Sequence, residues 1–394
     1  MSGLVLGILV LLALPVTVAC VYLLTLTLLS AAASAPKPSV RRLRFDVVVP
    51  AHDEAAVIER TVASLFTVDW PRDAFRVLVV ADNCTDATAF LARAAGAEVI
   101  ERRNPTRRGK GYALEYGFEA SDRRGWADAI VVVDADTVVS GNLLEAFAAR
   151  IERGAQAMQA HYGVLNPQDS WRTRLLAIAF AAFHVLRSRA RERLGLSCGI
   201  RGNGWCVTRR LLRTVPYRAF SLTEDLEYGI DLGLVGYRVH YAGEARVDSE
   251  MVTSERIARS QRRRWEDGRF ALLRSRVAPL LQTAVRARDV VCLDLAMDLL
   301  VPPLAQLAAA VAALVVAAAA AALMLPSARP LPSLAALCVA SLVLYVLRAW
   351  QLSGVGRRGL ADLARAPGFL LWKLVLSRQQ RDPDEWVRTE RESR

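Results

Sequence analysis

Histidine and cysteine are scarce, four and six among 394 residues, and that scarcity removes several chemistries at the outset. The cysteines, Cys20, Cys84, Cys198, Cys206, Cys292 and Cys338, are scattered, form no CxxC pair and have no histidine at zinc spacing. They read as reduced packing residues, so neither a disulfide framework nor a structural zinc site is expected. No two histidines stand at a metal spacing either, which leaves a zinc hydrolase without ligands, and any metal must be held by oxygen donors. Acidic side chains are the minority charge, 39 against 51 Lys and Arg, for a formal net charge of +12. A basic chain can bind nucleic acid or a membrane. A soluble nucleic-acid binder would not carry the apolar runs Leu4 to Leu29 and Leu304 to Leu325, so nucleic acid is set aside as a partner and membrane lipids are expected. No internal repeat is evident.

Leu4 to Leu29 is long enough to span a bilayer at roughly 1.5 Å per residue. It exceeds the apolar length of a cleaved signal peptide and no basic residue precedes it. Lys37, Arg41, Arg42 and Arg44 follow it, so the positive-inside rule puts the amino terminus outside and the next domain in the cytoplasm. Between Phe45 and about Leu212, short valine-rich runs (FDVVVPA, FRVLVVAD, AIVVVDAD) alternate with helical stretches. That rhythm predicts an α/β domain with a mostly parallel sheet, whose ligands sit at the carboxyl ends of the strands. Those ends carry Asp53, Glu54, Asp82, Asp134 and Asp136. Trp171 to Leu194 joins an apolar block too short to span with Arg187, Arg189, Arg191 and Arg193, and is expected to lie in the headgroup layer. Two further spans are expected near Leu299 to Leu325 and Leu334 to Trp350, followed by Arg357 and Arg358 on the cytoplasmic side and an interfacial helix from Gly359 to Leu376. The organisation reads as 1–36 transmembrane, 37–278 catalytic, 279–352 membrane domain with two transmembrane helices, and 353–394 interfacial helix with a tail.

Asp134 and Asp136 stand at i and i+2 of an extended chain, so both carboxylates can face one cation. Magnesium or manganese, held by one or two carboxylates and bridged to phosphates, is the usual arrangement around a nucleotide diphosphate. Asp225 in SLTEDLEYG can serve as a general base taking the acceptor's proton, with Thr223 placed to cap the helix that starts there. Gln261, Arg264 and Trp265 in QRRRW supply donors for a leaving diphosphate and a wall for an acceptor sugar.

VVVPAHDE (47–54), VADN (80–83), RRGKGYAL (107–114), DAD (134–136), TED (223–225) and QRRRW (261–265) come in one order, and that ordered set resembles the membrane-bound family 2 (GT-A) glycosyltransferases. This is the group of cellulose, hyaluronan and chitin-oligosaccharide synthases and ceramide glucosyltransferases. The resemblance covers about Asp46 to Phe270 and implies transfer of one sugar from a nucleotide-sugar donor, a UDP-sugar, with inversion. It assigns Pro50, Ala51, Glu54 and Asp82 to the nucleoside, Lys110 and Asp134 to the donor, and Asp136 to the metal, Mg2+ or Mn2+. SCGIRGNGWCV matches the family's acceptor-side loop in part, which suggests Gly202, Asn203, Gly204 and Trp205 beside the acceptor. WVRTER resembles a gating loop, with Trp386, Arg388, Thr389 and Arg391 closing over the nucleotide, although here it follows the last span instead of preceding another. The expected acceptor is a lipid or glycan at the cytoplasmic face of a bacterial inner membrane. Processive polymer synthesis is the alternative activity, disfavoured because three spans are few to enclose a polar channel. A non-catalytic scaffold is the alternative class, disfavoured because base, metal acid and diphosphate arginine are all present. Arg264→Ala should raise the barrier by about 3 kcal/mol while donor affinity changes little, because the charge it meets grows as the diphosphate departs. Single-turnover rates and nucleotide titrations of Arg264→Ala and Arg264→Lys check this, with little recovery expected from lysine.

Overall fold

Valine runs buried on both faces need helices on both sides, and the computed structural model, which describes residues 2–251 and 255–365, supplies them. One eight-stranded sheet is ordered β3-β2-β1-β4-β7-β6-β8-β5. Its strands are β1 (Phe45–Ala51), β2 (Phe75–Asp82), β3 (Glu98–Arg102), β4 (Ala129–Val132), β5 (Thr137–Val139), β6 (Ala157–Val164), β7 (Trp205–Thr208) and β8 (Val239–Ser249). The β3-β2-β1-β4 half is parallel, with Val47 opposite Val77 and Val48 opposite both Leu78 and Val132. The other half is mixed, β7 running antiparallel to β4 and β6, and β8 parallel to β6.

Helix α1 (Ser2–Leu28) precedes the sheet. Val47 and Val49 point to a core shared with α2 (Ile58–Phe66), α3 (Thr88–Ala94) and α5 (Leu143–Ile151); Val48, between them, points to the opposite core under α4 (Lys110–Arg124). Alternation along an extended strand sends neighbours to opposite faces. Helix α4 lies so close to β1 that a Cβ on Gly117 would come 2.8 Å from Val48 Cγ1. The glycine sets the height of Lys110, the first residue of that helix, over the strand ends.

The segment 171–194 forms α6 (Trp171–Phe180), a π turn (Ala181–Leu186) and α7 (Arg187–Arg193). After α8 (Arg209–Thr214) and α9 (Glu224–Leu234) come α10 (Glu255–Ala287), α11 (Val290–Leu300), α12 (Leu304–Met324), α13 (Leu331–Ser353) and α14 (Gly356–Leu363). Among the described residues three helices are long and apolar enough to cross a membrane, at Leu9–Leu28, Leu304–Met324 and Pro326–Ser353. They share a core in which Leu23 of α1, Leu307 of α12 and Tyr345 of α13 meet Ile178 of α6.

Two expectations change here. The second apolar helix starts at Leu304, because Pro302 and Pro303 break the chain and Leu299 belongs to the separate helix α11. The arginines of 171–194 do not form one lipid-facing row. Arg187 and Arg191 are buried, Arg187 Nη1 donating to Asp298 Oδ1 at 2.9 Å and Arg191 Nε to Asp294 Oδ2 at 2.7 Å, while Arg193 is exposed. Asp298 also accepts Arg191 at 2.8 Å and Arg201 at 3.1 Å. Removing it takes the carboxylate from buried Arg187 and Arg201 and leaves Arg191 with Asp294 alone, so Asp298→Ala should cost about 3–5 kcal/mol of stability, read as a lower unfolding temperature of the detergent-solubilised chain.

Candidate active site

The parallel strands all end at one side of the sheet, and a cavity of about 640 Å³ opens there. Pro50, Ala51, Glu54, Asp82, Lys110, Asp134, Asp136, Gly202, Asp225 and Trp265 all line it. Ten sequence-predicted residues, from segments as far apart as β1 and α10, are thus brought to one chamber.

At the β1 end, Asp53 sits in the left-handed region at φ 54° and its Oδ1 accepts from Thr85 N at 2.6 Å and Asp86 N at 3.2 Å. The turn after β1 is thereby tied to the turn after β2. Asp82 is buried, and its Oδ1 accepts from Arg102 Nη1 at 2.5 Å. Arg102 also donates to Arg107 O at 2.8 Å, which fixes the loop ahead of Lys110. Arg102 was not anticipated, although it ends the third strand in register with Asp82 and that alignment is the signal.

Lys110 is the centre of the acidic side. Its Nζ lies 2.7 Å from Asp134 Oδ1 and 3.4 Å from Glu224 Oε1, and donates to Gly202 O at 2.8 Å. Burial works against its charge, but Asp134, Glu224 and Asp225 outweigh burial and hold it above the ordinary lysine range. The same ammonium acts on the acids in return. Burial raises the Asp225 carboxyl above the usual carboxylate range, and Lys110 pulls it part of the way back. Glu224 and Asp134 behave alike, Asp134 being pushed up further by the charge of Asp136. Glu224 is a further residue of the site that the sequence analysis assigns no role; its proximity to Lys110 shows only in the fold.

Asn203 holds the DAD turn from below. Its Oδ1 accepts from Asp134 N at 3.0 Å, and its Nδ2 donates to Thr137 Oγ1 at 2.7 Å and Ser249 Oγ at 3.0 Å. The acceptor-side reading is therefore corrected for three of its four residues. Gly202 lines the cavity, but Asn203 is a buried strut, Gly204 is packed against Val247, and Trp205 is 0% exposed with Phe118, Tyr217 and Tyr228 on the far face of the sheet. Gly202 adopts φ 93°, a conformation that favours glycine, and it lies beside the acid, since a Cβ there would make ordinary contact at 3.5 Å from Asp225 Oδ2 and 3.6 Å from the Tyr162 ring. Trp265 stands 6.2 Å from Phe180, ring centre to ring centre, where the chamber meets the membrane helices. The side chains of Gln261 and Arg264, the residues Trp386, Arg388, Thr389 and Arg391, and the part of the expected interfacial helix beyond 365 lie outside the described residues.

The donors on the β4 end are carboxylate oxygens, which suit a hard divalent cation such as Mg2+ or Mn2+ and would relieve the pressure between Asp134 and Asp136. Asp53, Cys84 and Asp86 also draw together, with ligand atoms within 4.8 Å. Their oxygens are spent on the turn, however: Asp53 on Thr85 and Asp86, and Asp86 on Thr88 N at 2.9 Å and Ala55 N at 3.1 Å. Burial meanwhile pushes the Cys84 thiol up to about 11, so no thiolate is offered.

A mostly parallel sheet with an acidic turn at the end of its fourth strand and an acidic helix start, Glu224 and Asp225, facing it is the GT-A glycosyltransferase architecture. Residues 42–268, more than half of the chain, match the Glycosyltransferase like family 2, and the protein belongs to that family. It is 24% identical over 234 residues to the probable glycosyltransferase YdaM of Bacillus subtilis, covering 57% of this chain and 55% of that one. It is 25% identical over 231 residues to the beta-monoglucosyldiacylglycerol synthase of Nostoc sp., covering 57% and 48%. The chain thus spans about half the length of the curated relatives it matches. In fold it is similar to the mannosyltransferase PcManGT of Pyrobaculum calidifontis, solved with GDP-Man and Mn2+, at a TM-score of 0.55 and 20% identity over 86% of this chain and 98% of that one.

Lys110→Met should expose the coupling. Without the ammonium the Asp225 carboxyl rises further, so any rate that needs it ionised should fall off at a higher pH on the acid side than in the wild type. The pH dependence of kcat for the two proteins, with saturating donor, makes the comparison.

Proposed function

We propose that this chain moves one hexosyl unit from a nucleotide diphosphate sugar, a UDP-sugar, onto a hydroxyl of a lipid or lipid-linked acceptor, with inversion, at the cytoplasmic face of a bacterial inner membrane. The observation that carries this reading is the continuity of one chamber. It runs from the strand-end acids through Asp225 and Trp265 to Pro303 and Leu304, where an apolar helix long enough to span begins. A soluble acceptor would need no such exit. The glucolipid made by the Nostoc relative accords with a lipid acceptor.

In this scheme Pro50, Ala51, Glu54 and Asp82 receive the nucleoside, Asp82 kept rigid by Arg102. Lys110 and Asp134 face the diphosphate, and Asp136 would hold Mg2+ or Mn2+, which when bound neutralises phosphate charge. Asp225 takes the proton of the acceptor hydroxyl while that oxygen bonds to the anomeric carbon and the bond to the diphosphate breaks on the opposite face. Its raised carboxyl, a consequence of burial, makes it a better proton acceptor than an exposed aspartate. Trp265 and Phe180 wall the acceptor from lipid. Gln261 and Arg264 are the residues the family resemblance offers to the departing diphosphate.

Paired variants test the assignment. Asp225→Asn should leave nucleotide binding intact while kcat falls by about 10² to 10⁴. Asp136→Asn should abolish transfer together with metal-stimulated nucleotide binding, because a neutral amide is a poor ligand for a hard cation. Equal loss of donor affinity in Asp225→Asn would make that residue structural, and metal-stimulated activity surviving in Asp136→Asn would remove it from the metal site.

A further inference from the structure

One end of the chamber holds the acids used above; the other is lined by cations that the scheme leaves idle. Arg187, Arg201 and Arg269 line it beside Pro303, Leu304 and Tyr345. Arg187, Arg191 and Arg201 are three guanidinium groups gathered on two carboxylates, Asp294 and Asp298. Arg269 donates to main-chain carbonyls at the end of α11, Asp298 O at 2.7 Å, Leu299 O at 3.0 Å and Val301 O. A helix carboxyl end supplies partial negative charge, not a whole one. Burial and the flanking arginines lower the Arg201 guanidinium, and burial brings Arg269 down to about 10. Both shifts mark charge that is incompletely matched.

Arg201 is the most telling member. It is 3% exposed, its Nε donates to Cys198 O at 2.8 Å, its Nη2 lies 3.1 Å from Asp298 Oδ2, and its Nη1 finds no acceptor among the described residues. Buried guanidinium groups are ordinarily fully paired, and Arg201, a residue of the chamber wall stacked 4.3 Å from the Phe183 ring centre, keeps one covered donor without an acceptor, as does Arg191. We propose that this arginine cluster binds the phosphate of the acceptor, so that the acceptor is an anionic lipid carrying a free hydroxyl a few bonds from its phosphodiester.

The chain itself sets the spacing. Arg201 is followed by Gly202, which lies beside the Asp225 carboxylate and whose carbonyl holds Lys110. The candidate base therefore lies against the residue next to Arg201, and a short polyol headgroup bridges the two. The phosphate is not the nucleophile, since a phosphate oxygen needs no base and would be repelled by Asp225. It is not the donor's, since the donor phosphates fall to Lys110 and Asp136 at the β4 end. The lipid source follows from the apolar exit at Leu304 and Tyr345.

This inference rests on the acceptor reading above, and the test separates the two. The full-length chain in neutral detergent is titrated with dihexanoyl phosphatidylglycerol, dihexanoylglycerol and glycerol 1-phosphate, binding being read as a rise in unfolding temperature, with UDP binding measured in parallel. Phosphatidylglycerol should bind at least about tenfold more tightly than either of the others. Arg201→Gln should weaken it by about tenfold or more with UDP affinity unchanged, the scale of a lost charge-assisted hydrogen bond. If Arg201→Gln does not fold, the wild-type comparison decides alone. Equal binding of the neutral lipid overturns the phosphate site, and equal binding of glycerol 1-phosphate overturns its lipid source. Transfer to a neutral lipid that phosphatidylglycerol does not inhibit would sink this proposal while leaving the transferase reading intact. Selective phosphatidylglycerol binding without any transfer would do the reverse.

Discussion

An acid-rich crevice can stay folded without its ligands only if something balances the acids, and here that group is the ammonium of Lys110. It touches the DAD turn through Asp134, the TED helix through Glu224 and the β7 approach through Gly202 O, three segments that no regular secondary structure joins at that point. The cost of burying this lysine is offset by the same carboxylates whose ionisation it supports. The position of Lys110 depends in turn on Gly117, which lets α4 settle on β1, and on Arg102, which ties the preceding loop to Asp82. Donor site and candidate base are thus organised around one charge.

The second organising cluster lies on the membrane side. Arg187 and Arg191 from the catalytic segment meet Asp294 and Asp298 from the helix just before the second apolar helix, with Tyr22 and Tyr345 of the apolar helices closing the group. Charged pairs of this kind fix geometry more than they add stability. The cluster holds the mouth of the chamber in register with the start of α12.

The sheet was legible because valine runs with acidic ends obey simple alternation, whereas the Asp134–Asp136 pair, expected on an extended chain, lies in the turn between β4 and β5. Alternation does not reach Asn203 and Gly204, because they lie in a bend with positive-φ glycines at 202 and 204 that carries the chain from the chamber wall into the buried strand that starts at Trp205. The arginines after Leu186 were misread for another reason. Which face of an amphipathic helix meets solvent depends on partners, and those partners, Asp294 and Asp298, stand 103 and 111 residues later. Glu224 and Arg102 escaped notice because their roles are defined by neighbours across the sheet and not by spacing along the chain.

The central claim is that one chamber joins a nucleotide-sugar site to a lipid acceptor. It is tested most directly by incubating the purified full chain with a panel of nucleotide sugars, Mg2+ or Mn2+, and a membrane lipid extract, and determining the mass and anomeric configuration of the product. The account predicts a lipid carrying a single hexose of inverted configuration, formed from one donor in step with release of its nucleoside diphosphate. Release of the diphosphate with the sugar recovered only as free hexose or as a water-soluble polymer, or a glycolipid of retained configuration, would contradict it.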